Sequence, residues 1–328
     1  MNRIMAALAA ALVLTALAAR ADETLGVNAF PGAANLPLLV GQHEGMFHKH
    51  GIEIALSHPK GSVDQLKGLM DGKYAVLLTA LDNVVAYHDG HGEADLGGPI
   101  DLVAFMGMDT GFLSLMASPG TKTIADLEGK TMAVDALTTG FSFALQELLA
   151  RGGVAKDKVS YAAFGSSGAR WKALSEGKAQ AALLNMPFDL VASDQGFVKL
   201  ATVAQTLGHY QATAAAVRES WAKEHPAILV SFLRGYRESV RWMVAPKNKD
   251  ASIAILHGEL PDLDAAKLAR IYALLTDPKQ GIARDLAIDP KGAAMVLTLR
   301  ARYAAPAAKP AHDWRGYVDL SYLARSRK

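Results

Sequence analysis

The strongest constraint on this chain is a repeated exchange between two hydrophobic periods. Short apolar runs bounded by turn residues alternate with longer stretches whose apolar residues recur every three to four positions. Strands are expected at 24–29, 52–56, 73–79, 101–106, 112–117, 131–134, 159–163, 179–184 and 198–204. Helices are expected at 36–48, 63–70, 83–87, 140–151, 169–176 and 188–195. The tail reads as mostly helical, with helices near 227–243, 251–257, 264–275, 290–303 and 317–324. Ser62 and Asp82 read as N-caps, and Gly51 and Gly177 as stops. Repeated βα units imply an α/β fold with largely parallel sheets and helices on both faces. No internal repeat and no low-complexity linker interrupts the pattern.

The first residues carry a different signal. Asn2 and Arg3 give a positive start, Ile4 to Leu17 is apolar apart from Thr15, and Ala19-Arg20-Ala21 fits a small-residue cleavage site. This is the layout of a secretory signal peptide over 1–21. A bilayer span needs about 20 apolar residues, which this run does not reach. The expected location is therefore the periplasm, with the mature chain starting at Asp22.

The 328 residues contain no cysteine. That excludes disulfides, a thiolate nucleophile, a thiolate metal site and an acylated cysteine anchor. A chain of this size buries enough apolar surface to fold without crosslinks. Lys and Arg number 34 against 32 Asp and Glu, and Arg3 and Arg20 leave with the leader. A balanced mature chain has no electrostatic footprint for nucleic acid or anionic lipid.

Several stretches carry a resemblance. Leu38–Ile54 (LLVGQHEGMFHKHGIEI) and Leu66–Leu77 (LKGLMDGKYAVL) are two of them. Ile124–Val134 (IADLEGKTMAV), His225-Pro226 before a long aromatic-bearing helix, and Tyr317–Tyr322 (YVDLSY) are the others. In this order they resemble the nitrate/sulfonate/taurine-type binding proteins of ABC importers, an SsuA-like family that includes binders of thiamine pyrimidine precursors. The resemblance implies a two-lobed periplasmic binding protein fold of type II. Lobe I would comprise 22–110 and 206–328, and lobe II would comprise 111–205. It also implies a monomer that closes on a ligand and docks on a membrane permease, without a cofactor.

In open α/β sheets ligands gather beyond the carboxyl ends of strands. Reading along those ends selects Phe30, Pro31 and Asn35, then Thr79, Asp82 and Asn83, then Asp109. From the second lobe it selects Asp135, Thr138, Thr139, Gly140 and Phe141, then Ser166, Ser167 and Arg170, then Asn185, Phe188 and Asp189. Thr138-Thr139-Gly140 and Gly165-Ser-Ser-Gly168 open helices, whose free N–H groups suit an anion, although Thr and Ser there also serve as ordinary caps. Acids and aromatics outnumber the one obvious cationic anchor, Arg170. The expected ligand is a small neutral or amine-bearing molecule, heteroaromatic ones included, with a sulfonate or other anion as the runner-up.

Other function classes have weaker support. His43, His48 and His50 lie close together, but His43 and His48 are five apart and share a helical face poorly, so they read as a solvated helix exit. The related fungal pyrimidine-precursor synthases carry a cysteine-rich motif that this chain lacks. No Gly-x-Ser-x-Gly elbow, P-loop or Gly-x-Gly-x-x-Gly is present. A receptor module that feeds a sensor kinase would read the same at this level.

Overall fold

A computed structural model describes residues 22–328, so the expected leader at 1–21 lies outside the described residues. Ten strands form two sheets. They are β1 (Glu23–Ala29), β2 (Ile52–Ser57), β3 (Val76–Ala80), β4 (Leu102–Asp109), β5 (Ser114–Ala117), β6 (Thr131–Val134), β7 (Ser160–Ala163), β8 (Ala181–Leu184), β9 (Val198–Thr202) and β10 (Thr213–Arg218). The first sheet has the order β2-β1-β3-β10-β4, and the second β7-β6-β8-β5-β9. In the first, β10 runs antiparallel to β3 and β4. In the second, β5 runs antiparallel to β8 and β9. The remaining pairs are parallel. Each sheet thus holds one reversed strand, second from an edge, and both reversed strands lie next to a crossing between sheets.

The helices are α1 (Leu36–His43), α2 (Ser62–Met70), α3 (Leu81–His88), α4 (Gly140–Arg151), α5 (Ser167–Ser175), α6 (Phe188–Asp194) and α7 (Val203–Leu207). They continue with α8 (Glu219–Glu224), α9 (Pro226–Met243), α10 (Lys249–Glu259), α11 (Ala265–Leu275), α12 (Pro290–Tyr303) and α13 (Ser321–Arg325). Helix α9 shows how the tail is held. Leu229, Phe232, Leu233, Tyr236, Val240 and Met243 recur at helical spacing and are buried. They join the core between α1, α10, α11 and one face of the first sheet. A second core cluster runs from Leu77 and Val84 through Leu115, Met132 and Phe143 to Val296 and Leu299. It spans both sheets and α12, so the lobes share apolar packing. No helix among the described residues is long and apolar enough to cross a membrane.

The sheets are joined by two segments, one between β4 and β5 and one between β9 and β10. They run side by side: a Cβ on Gly111 would lie 2.6 Å from the Ala212 Cβ. Gly111 also has φ 82°, which glycine adopts without strain. The next residue, Phe112, sits at φ 48°, a costly conformation for an aromatic residue. The exposed edge of the first sheet is covered by the C-terminal segment. Val318 bridges Ala104, and the Asp319 amide donates to the Ala104 carbonyl at 2.8 Å. Such cover protects an edge strand from pairing with another chain.

Four local expectations are corrected. The first helix stops at His43 rather than His48, because Gly45 turns to φ 66° and the chain re-forms only a short 3-10 turn at His48–His50. Asp82 is not an N-cap: α3 starts at Leu81 with Ala80 at the cap, and Ser62 likewise is the first residue of α2. Strand β10 was not expected at all. Its TAAAVR sequence is rich in alanine, which favours helices and is depleted in strands. Burial between β3 and β4 overrides that preference, and Ala214, Ala215 and Ala216 are fully buried there.

Candidate ligand-binding cleft

A cavity of about 370 Å³ opens between the two sheets, at the carboxyl ends of their parallel strands. This lies within the usual range of small-molecule sites. One wall carries Phe30, Pro31 and Asn35 after β1, Thr79 at the end of β3, Asn83 in α3, and Met108 and Asp109 at the end of β4. The facing wall carries Asp135, Phe141, Ser166, Ser167, Arg170, Asn185 and Phe188. These include thirteen of the residues that strand-end reasoning selects. Gly61, Ser62, Leu78 and Thr213 also line the cavity and were not expected. Gly61 and Ser62 follow β2, a strand end that the reading passed over. Thr213 begins the strand that alanine content concealed.

Most polar groups in the walls are already committed to holding the walls. Asn35 Nδ2 donates to the Phe30 carbonyl at 2.8 Å and fixes the loop after β1. Asn83 Nδ2 donates to Thr79 Oγ1 at 3.0 Å. Ser166 caps α5 by accepting from the Ala169 amide, and Ser167 Oγ accepts from the Asn185 amide at 3.1 Å. Arg170 is buried, and two of its nitrogens donate to the carbonyls of Leu183 and Gly165. Burial lowers its pKa, against the pull of the nearby Asp135 carboxylate. Arg170 thus braces the β8 and α5 loops, an anchoring role that the sequence reading assigned to ligand.

Three buried oxygens in the walls find no hydrogen-bond partner among the described residues: Asp109 Oδ2, Thr213 Oγ1 and Asn185 Oδ1. Asp109 is 4% exposed, and its Oδ1 accepts from the Gly111 amide at 2.6 Å. Burial raises its pKa, opposed by the nearby Thr213 hydroxyl and by the Gly111 amide. Burial likewise raises that of Asp135, opposed by Arg170 and by the Thr139 hydroxyl, which donates at 2.8 Å. Phe30, Phe141 and Phe188 supply apolar walls around these acceptors. Gly168 lets the Phe188 ring approach, since a Cβ there would lie 3.1 Å from the ring.

The other five selected residues are placed outside the cavity. Asp82 forms a bidentate ion pair with Arg300 of α12, at 2.7 Å and 2.6 Å, with both side chains 1% exposed. Gly140 is pressed against it: a Cβ there would lie 2.4 Å from the Asp82 Cβ. Thr139 caps α4. Thr138 donates through its amide and hydroxyl to Glu93 at 2.7 Å and 2.8 Å. Asp189 accepts from Ser114 at 2.9 Å and from Lys199 at 2.8 Å, turned towards β5 and β9. The clustered histidines also separate, His43 beside Glu44, His48 beside Asp22 and His50 beside Glu238.

A family model described as NMT1/THI5 like matches residues 33–249. The chain belongs to this family. A search of curated protein sequences finds no significant match. Among solved structures, the periplasmic nitrate-binding protein NrtA from Synechocystis PCC 6803 aligns with a TM-score of 0.77 at 13% identity, covering 93% of this chain and 88% of the other. The zinc-bound ligand-binding component of an ABC-type import system from Staphylococcus aureus aligns at 0.74 and 15% identity, covering 93% and 99%. The desulfurization enzyme DSZB aligns at 0.64 and 12% identity, covering 93% and 99%. These likenesses establish the two-lobed α/β binding-protein fold of the NMT1/THI5-like chain. They extend to both binding proteins and an enzyme, so the fold alone does not assign the activity.

Proposed function

We propose that the protein is the periplasmic solute-binding component of an ABC importer, which captures a small organic molecule in the cleft and delivers it to a membrane permease. Lobe I (22–110 and 206–328) and lobe II (111–205) close on the ligand about the two paired crossings. The side-by-side packing of Gly111 and Ala212 and the constrained Phe112 suit a hinge at that place. Family membership and the ABC-type import component of similar fold support the same reading.

The observation that carries it is the pair of buried acceptors left over at Asp109 and Asn185, with the Thr213 hydroxyl beside Asp109, inside an aromatic-walled cavity. A buried acceptor without a donor costs free energy that a ligand N–H or O–H would recover. The ligand is therefore a donor-bearing molecule, neutral or amine-bearing, small enough for the cavity and flat enough for the Phe walls. Its ammonium or amide would meet the Asp109 carboxylate. No histidine, lysine or cysteine lines the cavity among the described residues. A thermal-shift screen on the mature chain tests this reading. Stabilisation by pyrimidines or small amines is expected, and stabilisation by nitrate or taurine alone would overturn it.

A further inference from the structure

A second cluster lies on lobe I, at the far end of the helix that opens on the cavity. His88 and Asp89 end α3, and His312 reaches them from the loop before the 3-10 turn Trp314–Tyr317. One ligand atom from each lies within 4.8 Å of the others. We infer that these three side chains form a binding site for a divalent transition-metal ion of the zinc type, one that staples the C-terminal segment to α3.

The surrounding hydrogen bonds leave the right atoms over. His88 Nδ1 lies 3.0 Å from the Leu102 carbonyl. A carbonyl only accepts, so Nδ1 carries the proton and Nε2 keeps its lone pair for a metal. A backbone acceptor on the second ring nitrogen is the usual way a metal-binding histidine is oriented. Asp89 Oδ2 accepts from the Tyr317 hydroxyl at 2.7 Å and from the Ala311 amide at 3.0 Å. Its Oδ1 takes no hydrogen bond among the described residues. Tyr317 is fully buried and in turn accepts from the Ala311 and His312 amides, at 3.0 Å and 3.1 Å. The same residue therefore fixes both the carboxylate and the backbone of the loop that presents His312.

His312 is exposed and packs edge-on against His88, with ring centroids 6.1 Å apart. A Cβ on Gly316 would lie 2.6 Å from the His312 Cβ, so glycine there lets the imidazole-bearing loop sit close. Two imidazoles and one carboxylate match the donor preference of zinc and leave a position for water. The C-terminal end of α3 adds partial negative charge. Ligand atoms about 2.1 Å from one tetrahedral ion lie about 3.4 Å apart, so metal binding would draw the three side chains in from within 4.8 Å. The helix is eight residues long, so the metal would sit about 12 Å along it from the cavity end, using 1.5 Å per residue.

The test is zinc titration by calorimetry on the tag-free mature chain after EDTA treatment, with cobalt absorption as a second probe. One zinc per chain is expected at neutral pH, with an upward shift in the thermal midpoint and a tetrahedral cobalt spectrum. His312→Ala, at an exposed position, should keep its circular dichroism and weaken zinc at least tenfold, as losing a ligand does. Asp89→Asn should weaken it similarly, whereas His48→Ala and Asp109→Asn should leave it unchanged. Absence of binding in the parent chain, unchanged affinity in His312→Ala, or loss in His48→Ala instead would overturn the site.

Discussion

The cleft and the junction behind it use the same side chain in opposite ways. Asp82 and Asp109 are both buried, Asp82 just after β3 and Asp109 at the end of β4, and both are expected ligand acceptors. Asp82 faces the junction, where Arg300 takes both of its oxygens and lies 5.3 Å over the Phe143 ring of the second lobe. Helix α12 extends that clasp: Arg302 and the Tyr303 hydroxyl each donate to Glu147 of α4 at 2.7 Å, and Tyr303 stacks on Phe143. Burial would lower the Arg300 pKa, but Asp82 more than offsets this and the net shift is upward. Asp109 faces the cavity, and one of its oxygens has no partner among the described residues. Both oxygens of Asp82 are committed to Arg300 within lobe I, whereas one oxygen of Asp109 is left open to the cavity.

The contrast can be broken from the junction side first. Asp82→Ala strands Arg300 in the shared core and should cost roughly 3–5 kcal/mol of stability in urea unfolding, as removal of one member of a buried pair does. A cost no larger than that of a surface substitution would mean that this pair is not what holds α12 to α3.

Asp109→Asn probes the cleft. It should weaken the stabilising amine by about thirtyfold or more, the equivalent of roughly 2 kcal/mol for a buried charge contact. The folded protein itself should lose little. The pH dependence follows from sign. The folded pKa of Asp109 is raised above 3.8, so the ligand-free folded state binds more protons than the unfolded state in the interval above 3.8. Its contribution to stability therefore falls as pH rises through that interval. Unfolding of the two ligand-free proteins compared across pH should show Asp109→Asn gaining on the parent chain as pH rises. A constant gap would place Asp109 in a solvated setting.

Two smaller effects sharpen the comparison. Thr213→Val removes the hydroxyl beside Asp109 while keeping its shape, and calorimetry should show amine affinity reduced by several-fold, within the ~0.5–1.5 kcal/mol of one hydrogen bond. Arg302→Ala removes the exposed arm of the clasp and should cost less than about 1 kcal/mol in the same urea assay, because solvent screens that pair. If Arg302→Ala matched Asp82→Ala, the buried pair would have no special standing.

Much of the architecture follows from local pattern. The alternation of apolar strands and amphipathic helices fixes the α/β class, and strand-end reasoning places Phe30, Asp109, Asp135 and Ser167 at the cavity, since it needs only the position of each strand end. Local pattern fails where a neighbour distant in sequence decides the outcome. Strand β10 is alanine-rich and is a strand only because β3 and β4 flank it. Thr213 was lost with it.

What the sequence determined by itself is the period of each segment, because residues two, three or four apart share a face through backbone geometry alone. What the tertiary structure decided is which buried polar group would be paired. Arg300 lies 218 residues from Asp82, and His312 comes from the opposite end of the chain to reach His88 and Asp89. No local pattern encodes such meetings. They arise only when packing removes water from both partners, and that same removal of water leaves one Asp109 oxygen facing the cavity without a partner.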